Sequence, residues 1–224
     1  MTIAVASGCV FYYIWLHLQF VRAHERALRA EQRIQIMMTQ IQPHFLFNTI
    51  ATFRALCRRD PEQAAQVAEK FSLYLRQNLD SLNAPGLIPF EKELEHTRQY
   101  ADIEMVRFEN VRMEYVIEDR GFSLPPLTVQ PLVETAIRHG VRIREDGVVR
   151  VSTRLLEDCH EITVRDNGIG FDVSAVETAE GKHIGIRNVR ERIESLCRGT
   201  LTISSVPDEG TTVTIRIPRK ETDP

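Results

Sequence analysis

The run Gln42-Pro43-His44-Phe45-Leu46-Phe47-Asn48 sets one imidazole among large apolar residues. In a helix, Asn48 lies one turn beyond His44 on the same face. An imidazole that accepts a phosphoryl group needs an accessible ring nitrogen, a neutral ring at attack and a partner that fixes its tautomer. Asn48 can orient the ring but is no strong base. Far downstream, Asp166-Asn167-Gly168-Ile169-Gly170 follows Ile162-Thr163-Val164. An aspartate at a strand end can accept a hydrogen bond from an exocyclic amine such as adenine N6. The glycines Gly168 and Gly170 let backbone approach a ligand closely. A nucleophilic histidine beside a separate nucleotide pocket points to phosphoryl transfer onto a protein side chain. Taken singly, His44 reads better as a structural histidine in a helical core, and Asp-Asn-Gly as a plain turn.

Two further segments belong with the aspartate loop. In Val129-Gln130-Pro131-Leu132-Val133-Glu134-Thr135-Ala136-Ile137-Arg138-His139-Gly140, a helix brings Glu134, Arg138 and His139 within about one turn, so acidic and basic groups converge. Glu134 is a candidate for polarising the attack or a metal-bound water. Arg138, His139 and Lys182 are candidates for phosphate contact, with solvated surface charge the competing reading of Arg138 and Lys182. Gly181-Lys182-His183-Ile184-Gly185-Ile186-Arg187-Asn188-Val189 is a glycine-bearing loop opening a helix, whose first amides can face phosphate oxygens. This brings in Gly185 and Asn188. Gly210-Thr211-Thr212 adds hydroxyl and amide donors from Thr211 and Thr212. The ordered series is far more specific than its parts. No GxxxxGK[ST] run is present, which excludes a P-loop, and no strand-linked GxGxxG supports a dinucleotide fold.

The elements that must position these groups divide the chain into two characters. Ala23 to about Arg58 is rich in good helix formers, with a kink expected at Pro43. Asp60-Pro61-Glu62 is a capped helix start. Ala64, Val67, Ala68, Phe71, Leu75 and Leu79 then form a helical stripe, which Asn83-Ala84-Pro85-Gly86 stops. A third helix is expected from about Pro89 to Phe108. Beyond it the pattern predicts strands over Val111–Ile117, Gly147–Leu156, Glu161–Val164, Leu201–Ser205 and Thr211–Ile217, with helices over Thr128–His139 and Ile184–Leu196. The whole reads as α+β, a mixed sheet with helices on one face. The domain boundary is expected near residues 82–88, with a second option near 110. Two helices cannot enclose the Phe45-Leu46-Phe47 seam, whereas two chains give a four-helix bundle, so a homodimer is expected.

A formal net charge of -3 over 224 residues gives no basic surplus, and no nucleic-acid partner is expected. Cys9, Cys57, Cys159 and Cys197 are spread without a CxxC pair and read as free thiols. Ile3 to Val21 carries no Asp, Glu, Lys or Arg and at about 1.5 Å per residue spans roughly 28 Å, close to a bilayer core. Arg22, Arg26, Arg29 and Arg33 follow, which places what comes after in the cytoplasm. A membrane helix is therefore expected over residues 1–22, with further spans upstream in a longer parent an open question. His17 and Gln19 keep a buried soluble helix in play.

Together these segments resemble the LytS/YehU-type sensor histidine kinases, whose ATP-binding domain belongs to the GHKL superfamily. The resemblance covers roughly Gln40 to Pro218. QPHFLFN is similar to the family's phosphoacceptor box, VQPLVETAIRHG to its N box, DNGIGF to its D box and GKHIGIRNVRERI to its glycine-rich box. Glu104, Arg107 and Phe108 also resemble a family feature. After the membrane helix read from the apolar run (1–22), the resemblance implies a dimerisation and phosphoacceptor hairpin (23–87) and a GHKL-type α/β sandwich (88–224). It implies ATP and Mg²⁺ as cofactors, His44 as the phosphorylated residue, Asp166 on adenine, a lid from about Gly168 to Gly185 and a response-regulator partner at the cell membrane. One position departs. The family's N box reads Glu-Asn-Ala, with the Asn helping to hold Mg²⁺, whereas here it reads Glu134-Thr135-Ala136. Thr135 has a shorter side chain and is a poorer ligand for a hard cation. Glu134 and Thr135 remain the metal candidates. Two alternatives to an active kinase stay open: a nucleotide-binding pseudokinase or signalling adaptor, and a GHKL ATPase or serine kinase in which His44 is structural.

Overall fold

The computed structural model describes Trp15, His17 and Gln19, which are helical, and residues 43–83, 86–172 and 184–219. By its contacts the chain divides into Met1–Asn48 and Thr49–Pro224. Most of the apolar run Ile3–Val21, and Cys9, lie outside the described residues. Among those residues, no helix is long and apolar enough to cross a membrane.

Helix α1 spans Pro43–Arg59 and helix α2 Pro61–Asn83. Asp60 separates them, and its Oδ1 accepts the Gln63 N–H at 2.9 Å. With Pro61 at the first helical position, this start needs no other signal. Strand β1 (Ile88–Pro89) leads into α3 (Phe90–Arg107) and pairs antiparallel with β3 (Ser123–Leu124). Pro89 has no N–H to donate, which suits a two-residue edge strand and hides it from pattern reading.

The main sheet contains β2 (Val111–Ile117), β4 (Gly147–Leu155), β5 (Cys159–Asp166), β6 (Thr200–Val206) and β7 (Gly210–Pro218) in the order β2-β4-β5-β7-β6. Strands β2 and β4 run parallel; β4–β5, β5–β7 and β6–β7 are antiparallel. Register places Val151, Val164, Val213 and Ile203 in one row and Thr153, Ile162, Ile215 and Leu201 in the next. Alternation sends these residues to one face. Helices α3, α4 (Gln130–Thr135) and α5 (Ile184–Cys197) bury that face, with Phe90, Leu94, Ile137 and Ile193 fully enclosed. The other face carries ion pairs, Arg150 to Glu114 and both Arg154 and Arg216 to Glu161.

The sequence pattern places one helix over Thr128–His139. Instead α4 widens after Thr135 into a π-helical segment, Ala136–Val141. The wider turn lays Gly140 against Asp166, where a Cβ would come within 2.8 Å of the carboxylate. Such segments mark places where backbone geometry serves a site rather than the helix.

The start of α4 is held by a buried carboxyl group. Glu93 of α3, fully enclosed, accepts the backbone N–H groups of Leu127, Thr128 and Val129 at 2.8 Å and of Gln130 at 3.3 Å. These include donors that no intrahelical carbonyl can meet. Burial pushes the Glu93 carboxyl up, and the four N–H bonds pull it back toward the ionised form. Arg192 of α5 donates to the carbonyls of Pro126 and Leu127 from the other side.

Candidate functional site

Asp166 ends β5 on the face buried by the helices and is 5% exposed. Its Oδ1 accepts the N–H of Gly168 at 2.8 Å and of Thr211 at 3.3 Å. Those two bonds point the carboxylate into a small cavity lined by Leu132, Thr135, Ala136, His139, Val164 and Ile186, among others. Burial pushes the Asp166 carboxyl up, and the two N–H bonds oppose that shift. A desolvated carboxylate beside apolar walls is suited to a planar base that offers an amine donor.

The loop after Asp166 is tied down on every side. Ile169 N–H donates to the Gly140 carbonyl at 3.1 Å, and Arg144 donates to the Gly168 and Asp208 carbonyls at 2.9 and 2.6 Å. A Cβ on Gly168 would lie 2.3–2.5 Å from Gly140 backbone atoms. Gly170 sits at φ +58, and its Cβ would meet the Val206 carbonyl oxygen at 1.9 Å. No larger residue fits either place. Asn167 faces away: its side chain accepts the Val148 N–H and donates to the Asp146 carbonyl, which anchors the start of β4.

The other expected residues fall into distinct positions. Thr135 lines the cavity, and its hydroxyl donates to the Pro131 carbonyl one turn back at 2.8 Å. His139, Gly170 and Thr211 line it too. Glu134 and Arg138 do not. Glu134 is buried, pairs with Arg138 at 3.0 Å, and is close enough to Tyr74 and Tyr100 to act on their phenols electrostatically. Thr212 points to the opposite face of the sheet from Thr211. Gly185 and Asn188 are exposed on α5 and do not line the cavity; Ile186 between them does. Lys182, with Gly181 and His183, lies outside the described residues, as does most of the expected lid, residues 173–183. Glu104 and Arg107 form an ion pair within α3, with the Arg107 guanidinium 4.9 Å from the Phe108 ring centre.

Sequence reasoning missed three residues that shape this site. Glu93, Gly140 and Arg144 take their roles only in three dimensions. A signal for Glu93 exists, since it falls on the buried stripe of α3 between Phe90 and Leu94.

The donor set fits an adenine nucleotide. It fits a metal ion less well, because Glu134 pairs with Arg138 and Thr135 offers only a single hydroxyl oxygen, whose lone pairs its bond to Pro131 leaves free. No group of three His, Cys, Asp or Glu side chains among the described residues could hold a metal.

His44 is exposed near the start of α1. The Asn48 side-chain nitrogen stands 2.8 Å from Nδ1 and 3.1 Å from Nε2. An amide N–H can meet only a ring nitrogen that holds its lone pair, the form a phosphoryl acceptor needs.

Residues 32–112, which contain His44, match the histidine kinase family model. Residues 109–221 match the model of the histidine kinase-, DNA gyrase B- and HSP90-like ATPases. The chain belongs to the histidine kinase-, DNA gyrase B- and HSP90-like ATPase family, with a histidine kinase segment ahead of the ATPase domain. As such it is 35% identical over 208 residues to sensor protein LytS of Bacillus anthracis, covering 86% of this chain and 35% of that protein. It is 33% identical over 214 residues to sensor histidine kinase YpdA of Escherichia coli K12, covering 92% and 38%. This kinase chain thus spans little more than a third of the length of those sensors. The uncharacterised Bacillus subtilis protein YwpD is 35% identical over 208 residues, covering 89% and 74%. The histidine kinase domain of a blue-light-activated kinase from Erythrobacter litoralis shares the fold, with a TM-score of 0.50, 17% identity, and 87% and 94% of the two chains covered.

Replacing Asp166 by Asn keeps the acceptor for Gly168 and Thr211 but turns an amide donor toward the base. Calorimetric titration of Asp166→Asn with ADP is expected to show affinity reduced roughly ten- to hundred-fold with an unchanged circular dichroism spectrum. Equal affinity would remove Asp166 from the site.

Proposed function

We propose that this chain is the kinase portion of a two-component sensor, which transfers the γ-phosphoryl group of ATP to His44 and passes it on to an aspartate of a response-regulator protein. The single observation that supports the reading best is the pairing in one chain of an exposed, Asn48-contacted His44 with the buried, glycine-walled Asp166. Asp166 takes the adenine amine, and Thr135, His139 and Thr211 border the base and the start of the phosphates. A lone pair on a His44 ring nitrogen forms the new N–P bond. The bond from the γ-phosphorus to its bridging oxygen breaks, ADP leaves with that electron pair, and the ring proton goes to solvent. Catalysis of this kind is positioning and charge neutralisation. Mg²⁺, when bound, would supply that neutralisation, and the Thr135 hydroxyl oxygen is the N-box group that would hold it through a water.

Two copies of the chain complete the arrangement. Phe47, Ile50 and Phe53 recur along one side of α1, and Leu73 and Leu79 on α2, all exposed. A second copy would bury them as a four-helix bundle. Attachment to the cell membrane through residues 1–22, with the catalytic part cytoplasmic, is supported by the uncharged apolar run Ile3–Val21 and the arginines that follow it.

A weakened enzyme or pseudokinase is the second reading. It is favoured by Thr135 in place of Asn and by Glu134 turned to Arg138 rather than to the cavity.

Incubation with γ-labelled ATP is expected to give acid-labile, base-stable label that maps to His44. His44→Gln is expected to lose all of it while binding ADP within about two-fold of the parent; retained label would make His44 structural. Thr135→Asn is expected to tighten binding of a fluorescent Mg·ATP analogue about five-fold. Unchanged or weaker affinity would mean that the threonine is not the weak point of the site.

A further inference from the structure

Tyr74 is a large polar side chain at the middle of α2 and is 2% exposed. It lies against His96 and Tyr100 of α3, with ring centres 5.5 and 6.2 Å apart. Its hydroxyl oxygen accepts a hydrogen bond from the Gln130 side-chain nitrogen at 3.0 Å. Gln130 is the first residue of α4 and is itself 5% exposed. Its other amide atom, Oε1, is buried with no hydrogen-bond partner among the described residues. The bond to Tyr74 is thus the anchoring contact of that side chain. A buried donor that loses its acceptor costs more than an average hydrogen bond is worth.

The position matters because of what Gln130 starts. Its backbone N–H is held by Glu93 of α3, and just ahead of it the carbonyls of Pro126 and Leu127 are gripped by Arg192 of α5. Leu127, held from both sides, adopts φ +57, a conformation that a side-chain-bearing residue keeps only when its surroundings fix it. From Gln130, α4 runs as one short rigid rod, about 9 Å long, to Thr135 and Ala136 in the cavity wall. Its near end therefore cannot move without moving the cavity wall. Burial also pushes the Tyr74 phenol up to about 12, so the hydroxyl stays neutral at working pH, and His96 is pushed down to about 4, so no charge enters this contact from that ring.

We propose that Tyr74 is a positioning residue for the nucleotide site: its bond to Gln130 makes the seating of α2 on the catalytic domain and the occupancy of the Asp166 cavity depend on each other. The inference rests on the nucleotide reading of that cavity. Coupling of this kind is reciprocal. If the seated α2 tightens nucleotide binding, nucleotide must stabilise the seated α2 by the same factor.

The test uses the whole chain with Mg·ADP as probe, and reads calorimetric affinity and amide hydrogen exchange. In the parent protein, Mg·ADP is expected to slow exchange of α2 amides around residues 70–78. Tyr74→Phe is expected to weaken Mg·ADP binding roughly five-fold and to abolish that protection. Gln130→Met is expected to do the same, and the double variant to be no worse than Tyr74→Phe alone, since both single changes remove the Tyr74–Gln130 bond. A merely structural Tyr74 would lower the thermal midpoint but leave both the affinity of the folded protein and the nucleotide-induced protection intact, and that result overturns the proposal. If Tyr74→Phe does not fold, Gln130→Met decides alone. Parent protein that binds Mg·ADP with no change in α2 also overturns it, while the nucleotide reading survives. Parent protein that binds no Mg·ADP overturns both.

Discussion

A carboxylate withdrawn from water must be met by something, and at Asp166 backbone N–H groups meet one oxygen and a cavity faces the group. Much of the surrounding construction keeps this arrangement rigid. The π-helical segment after α4 brings Gly140 in, Gly168 closes against it, and Arg144 ties the carbonyls of Gly168 and Asp208 together. Asn110 in turn holds the Arg142 and Arg144 carbonyls. Under the proposed function, their effect is to keep the carboxylate aimed without reorganisation when a base arrives, the condition under which a desolvated group discriminates best.

The two chemical groups of this kinase make opposite demands. Asp166 gains selectivity from burial, because a partner that cannot donate leaves the charge unmet. Under the proposed function His44 has to be reached by a donor and later by a second protein, and it is exposed, with Asn48 as its one-turn neighbour. A single chain satisfies both by placing one group on a helix and the other at a strand end under a helical layer. The contact from Tyr74 to Gln130 is where α2 meets the first residue of the cavity's helix.

The main sheet is legible in the sequence because β2, β4, β5, β6 and β7 carry alternating or β-branched runs between turn residues, and each lies within two residues of its expected ends. Asp166 and the glycines after it are legible because a strand end followed by Asp-Asn-Gly-Ile-Gly has few uses. Direction within a helix is not. Glu134, Arg138 and His139 share a turn in sequence, yet the widening after Thr135 carries His139 to the cavity and leaves Glu134 with Arg138. Periodicity at 3.6 residues cannot foresee that change of pitch. Glu93, Gln130 and Tyr74 are invisible as a unit because their partners lie 34 to 56 residues away in the chain. Only the misfit of Glu93 on an apolar stripe hints at it.

The proposed function turns on the Asp166 carboxylate choosing its ligand by the amine on a purine. Adenine offers a donor at C6, whereas guanine offers a carbonyl oxygen whose lone pairs would face the buried charge. Calorimetric titration of the same preparation with Mg·ATP and Mg·GTP tests this directly. Mg·ATP is expected to bind roughly a hundred-fold or more tightly than Mg·GTP. Equal affinities, or a preference for Mg·GTP, would contradict that role for Asp166.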